Sequence, residues 1–141
     1  MGTRIPMITL TVLIAISFGF GKGPEVRMIT LEQKVEHASK NLMAGLHSNN
    51  TGLVESSVRM IAAMKLRFPS ADIEELREEL DKLSITNSSA TVRYKAYIAS
   101  NICMNPQWFS QEHHTVTVDD ETFFIAASNR LQEKLLGLNS Y

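Results

Sequence analysis

Apolar residues along the middle of the chain recur at helical spacing, and the recurrence happens more than once. Leu31, Val35, Ala38, Leu42 and Leu46 fall three or four residues apart and predict a first helix over 31–47. Thr30 and Gln33 frame its start as a capping box, a hydroxyl with an amide three residues on. Asn49-Asn50-Thr51-Gly52 is turn chemistry. A second helix is expected over 53–67, stopped ahead of Pro69. Val54, Val58, Ile61 and Ala62 lie on one side of it and Met60, Met64 and Leu66 on others, as in a helix packed by several neighbours.

Ile73, Leu76, Leu80 and Leu83 form the stripe of a third helix, capped within Ser70 to Asp72. Glu74, Glu75, Glu78 and Glu79 in its first turns complement the positive end of the helix dipole. A fourth helix opens at Ser89 or Ala90 and ends before Asn105-Pro106. Trp108-Phe109 is predicted to fold back on the core, and Thr115 to Val118 is too short for a strand. Asp119 or Asp120 caps a fifth helix carrying Phe123, Phe124, Ala127, Leu131 and Leu135 and ending at Gly137.

The first two helices echo the next two at an offset of 38 residues. Val35, Ala38 and Leu42 map onto Ile73, Leu76 and Leu80; Val54, Val58, Ile61 and Met64 map onto Val92, Ala96, Ala99 and Ile102. The joint repeats as well, with Asn49 and Thr51 matching Asn87 and Ser89. Such an echo is expected of stacked helix pairs, each burying its stripe on the next. Asn41-Leu42-Met43-Ala44-Gly45-Leu46 with Gly52-Leu53-Val54-Glu55-Ser56-Ser57-Val58, then Leu76 to Leu83 with Thr91-Val92-Arg93-Tyr94-Lys95-Ala96, resemble HEAT-like helical repeats in their short bacterial form. The resemblance covers residues 31 to 104. It implies an all-α fold of antiparallel helix pairs stacked as a short HEAT-like α-solenoid, with the fifth helix as a C-terminal cap. It also implies a scaffold or partner-binding role without a cofactor, and it transfers no functional residues.

The ends change the picture. Ile5 to Phe20 is an apolar stretch of 16 residues behind Arg4, closed by Gly19-Phe20-Gly21. That reads as a signal peptide over 1–21, with a linker over 22–30, one helical domain over 31–137 and a tail over 138–141. The expected compartment is secreted or periplasmic; kept as an anchor, the same segment would make the chain a membrane-complex subunit. The chain has 14 basic and 15 acidic residues, a balance that argues against nucleic acid and against a polybasic membrane patch. A single cysteine, Cys103, leaves no internal disulfide, and its place near a helix end beside Ile102 reads as a buried structural thiol.

Candidate chemistry is sparse. His113-His114 with Glu112, completed by His47, is the only hint of a metal-dependent hydrolase, and none of the histidines has the helical spacing of a metal pair. Glu74, Glu78 and Asp81 could form a cation ridge but read as a solvated face. Asn49-Asn50-Thr51 and Asn87-Ser88-Ser89 fit the glycosylation pattern and read as turns. The expectation is therefore a non-enzyme with no cofactor and no metal, binding a protein or peptide. Projection of the second and fourth helices brings Arg59, Tyr94, Tyr97 and Asn101 into one strip, of residue types that dominate interfaces. The competing reading packs the tyrosines under the fifth helix and Trp108.

Overall fold

The computed structural model describes residues 29–110 and 119–137, which form five α-helices and no strand. They are α1 (Leu31–Leu46), α2 (Thr51–Arg67), α3 (Glu74–Thr86), α4 (Ala90–Met104) and α5 (Asp120–Leu135). The segments assigned to a signal peptide and a tail, and His113-His114 with Glu112, lie outside the described residues.

Most helix starts follow their local chemistry. Thr30 Oγ1 accepts from Gln33 N–H while Gln33 Oε1 accepts from Thr30 N–H, the reciprocal box that satisfies two orphan donors. Asn50 Oδ1 accepts from Leu53 N–H, so α2 begins two residues earlier than its apolar pattern. Ser89 and Asp119 cap α4 and α5 in the same way. α3 differs. Its cap position is Ile73, which has no capping side chain, and the helix opens at Glu74. Asp72 Oδ1 accepts from Glu74 N–H at 3.3 Å as a partial substitute. Burial of Ile73 in the core fixes this start, and packing overrides cap preference. The turn before α3 is held from α2, where Lys65 Nζ donates to Ala71 O at 2.8 Å.

Packing follows the two-pair plan. α1 lies against α2 and α3 against α4; α2 and α4 pack side by side, and α1 touches α3 more lightly. Val58, Ile61 and Ala62 of α2 and Ala96, Ala99 and Ile102 of α4 are fully buried in the core. α1 meets α2 closely at Gly45: a Cβ there would fall 2.1 Å from Ser57 Oγ. Residues 106–110 form a 3₁₀ turn that drives Phe109 fully into the core and leaves Trp108 packed at its edge.

α5 packs on α4, burying Phe123, Phe124, Ala127 and Leu131. Polar ties at both of its ends help fix it. Lys95 on α4 bridges Glu55 of α2 at 2.6 Å and Asp120 of α5, joining three helices through one ammonium. Arg130 Nε donates to Trp108 O at 2.9 Å, anchoring the later turns of α5 to the segment after α4.

Candidate functional site

Of the four residues expected to form a binding strip, Tyr94 and Tyr97 are exposed and Arg59 and Asn101 partly buried, and two of them make contacts to α5. Arg59 rises from α2 to stack on Phe123 of α5, its guanidinium carbon 3.7 Å from the ring centroid. Burial lowers its pKa, against the opposing fields of Asp120 and Asp119. The Tyr94 hydroxyl donates to Phe124 O at 3.2 Å. Both side chains are thus engaged by α5. Tyr97 remains 48% exposed on the outer face of α4, and Asn101 donates from Nδ2 to Tyr97 O in its own helix. The packing of tyrosines under α5 holds for the Tyr94 hydroxyl and not for Tyr97.

Three of the five carboxylates of α3, those of Glu74, Glu79 and Asp81, are paired. Arg77 Nε donates to both carboxylate oxygens of Glu74 at 2.9 and 3.0 Å and its Nη1 reaches Asp81. Buried Ser100 of α4 donates to Asp81 as well, so Asp81 ties α3 to α4. The hydrogen bonds it donates to Glu74, opposed by burial, hold the Arg77 guanidinium above its ordinary pKa. His47 at the end of α1 meets Glu79 at 3.0 Å. Among the described residues no group of three or more His, Cys, Asp or Glu is placed to hold a metal ion.

Cys103 is buried as expected, and burial pushes its pKa up to about 12, so the thiol stays protonated and unreactive at neutral pH. The physical cause is desolvation first, rather than the helix-end field that its position in sequence suggests.

Elsewhere among the described residues, a groove of about 880 Å³ lies between α1 and the start of α3. Its lining includes the apolar residues Leu31, Val35 and Met43 from α1, with Ala71 and Ile73 from the turn before α3 and Leu76 from α3. Of the five apolar positions that predicted α1, only Leu42 and Leu46 are buried. Leu31 is 53% exposed, and Val35 and Ala38 are half-buried. The stripe continues past the point where α3 covers it. Ser39 also lines the groove, and its Oγ is buried without a hydrogen-bond partner among the described residues. The rim is acidic, with Glu32 and Glu36 on one side and Asp72, Glu74 and Glu75 on the other, against Lys40 alone. The apolar stripe was readable in the sequence; its incomplete cover was not, because periodicity reports which face is apolar and not what lies against it.

Compared with known protein families, curated proteins and solved structures, the chain matches none. Among the described residues no helix is long and apolar enough to cross a membrane.

Proposed function

We propose that this protein is an exported, non-catalytic helical-repeat module that binds a protein or peptide partner. The observation that carries the reading is the half of the α1 stripe beside α3 that the described residues leave incompletely covered. It exposes apolar surface in a concave setting, next to charged groups that set orientation. The contact order, α1 on α2, α2 beside α4 and α3 on α4, supports two HEAT-like pairs with α5 as the cap. The outer face of α4, with Tyr97 and Asn101, is the second surface such a module offers.

Site-specific photo-crosslinking in the native host tests this. A crosslinkable residue replaces Val35 in one version of the full chain and Tyr97 in another. The expected result is a discrete adduct from position 35 and none from position 97. An adduct from 97 alone keeps the module and moves its surface to α4. No adduct from either position counts against partner binding.

A further inference from the structure

We infer that the α1–α3 groove takes a basic amphipathic helix from a partner protein, an inference that rests on the binding-module reading above. Three observations specify that occupant. The first is charge. The rim holds five of the chain's 15 acidic residues and one lysine, in a protein whose overall charge is nearly balanced. Glu36 is bridged by Lys40 at 2.8 Å and Glu74 by Arg77. Glu32, Asp72 and Glu75 have no cation within bridging distance among the described residues. One of these three belongs to α1, and two belong to the other wall. A helix lying between the walls therefore meets carboxylates on both flanks.

The second observation is shape and polarity. The α1 wall runs from Leu31 to Met43, which at 1.5 Å per residue is about 18 Å, the length of roughly 12 helical residues. That spans i, i+3, i+4 and i+7 anchors, the usual reading frame of a helix laid in an apolar groove. The third is the nature of the uncovered surface. α1 presents a helical stripe whose second half already packs on α2 and α3, so a helix laid over its first half extends the packing the fold already uses.

The same charge argues against two other occupants. A second copy docking groove to groove would set one acidic rim against another, and an anionic membrane surface would be repelled.

Fluorescence anisotropy on the full chain tests the proposal. The probe is a labelled synthetic peptide of about 14 residues with Leu at i, i+3, i+4 and i+7 and Lys on its other faces. Its comparison is the same peptide with every Lys replaced by Glu. The Lys peptide is expected to bind at least about tenfold more tightly, with affinity falling as salt rises. A Glu32→Gln, Glu75→Gln double variant, altered only at exposed positions, should lose several-fold of that affinity and flatten the salt dependence. Val35→Asp should abolish binding, and circular dichroism checks that both variants stay helical.

Equal binding of both peptides, or indifference to the double variant, overturns the basic-helix assignment; loss on Val35→Asp in that case leaves the groove as a binding site for another peptide class. Absence of binding by either peptide, with no crosslink from position 35, overturns the groove reading as a whole. A dimer in sedimentation that Val35→Asp dissociates, without peptide binding, assigns the groove to a second copy and overturns the proposal.

Discussion

α1 and α3 occupy equivalent places in the 38-residue echo, and three positions of their stripes match, yet their surroundings treat them differently. Ile73, Leu76 and Leu80 of the α3 segment are 5%, 1% and 0% exposed. Their counterparts in α1 are Val35 and Ala38, both half-buried, and Leu42 at 7%. α3 packs along its length on α4 and also meets α1, whereas α1 has α2 on one side and only part of α3 on the other. In a stack of helix pairs, cover comes from neighbours, so an inner pair and an outer pair with the same pattern reach different burial. An apolar stripe therefore records a need for cover and does not guarantee it. Where cover stops, the leftover surface is available to a partner.

The largest effect expected from this difference is in the α3 stripe. Leu80→Ala removes a fully buried side chain from a site packed on every side, and should cost about 2–5 kcal/mol in denaturant unfolding. A loss below about 1 kcal/mol would mean that α3 is no better packed than the open part of α1.

Gly45→Ala sharpens the comparison from the other side, at the end of α1 that is in contact. The added methyl meets Ser57 Oγ, and Ser57 is held by its own hydrogen bond to Leu53 O at 2.8 Å. Forcing them apart should cost about 1–3 kcal/mol, more than the gain of replacing glycine within a helix. A neutral or stabilising result would show that α1 slides freely even where it touches α2.

Lys95 probes whether α5 supplies on the α4 side the cover that α1 lacks. Burial works against its charge, but hydrogen bonds and fields from Asp120 and Glu55 prevail and hold its pKa above the ordinary lysine value. A folded pKa raised in this way gives stability that is complete below the unfolded value, about 10.4, and is lost as pH climbs through the folded value. Lys95→Met should cost about 1 kcal/mol at neutral pH, the carboxylates being partly solvated, and should remove that lysine's share of the alkaline loss. Identical stability-versus-pH curves above about pH 10 for the two proteins would show that the bridge does not hold α5.

How much of this was readable beforehand depends on range. The starts of α1, α2, α4 and α5 rest on contacts within three residues, Thr30 with Gln33 and Asn50 with Leu53 among them, and local sequence specifies such contacts. The start of α3 was misplaced because two polar residues, Ser70 and Asp72, competed as caps while a buried isoleucine decided. The roles of Arg59 and Lys95 were not legible at all. Projected on a helical wheel they point away from the main stripe, and only the return of α5, after 15 intervening residues, converts those positions into an aromatic stack and a three-helix bridge. Arg59 and Tyr94 of the expected strip meet α5 in this way, although Tyr94 stays 42% exposed.

The smallest effect is expected at Val35, and it tests the comparison most directly. Half-burial means that truncation to alanine removes methyl groups already partly in water, beside a groove that leaves room to relax. The cost should stay below about 1 kcal/mol, several times less than Leu80→Ala, with the denaturant slope unchanged. A cost of about 2 kcal/mol or more would mean that something covers the position in solution, either this chain or a second copy of it. Concentration separates those two, since only the intermolecular cover makes the apparent stability rise with protein concentration. A small cost at every concentration leaves the first half of α1 as surface the fold can spare, and that is the condition under which a partner can use it.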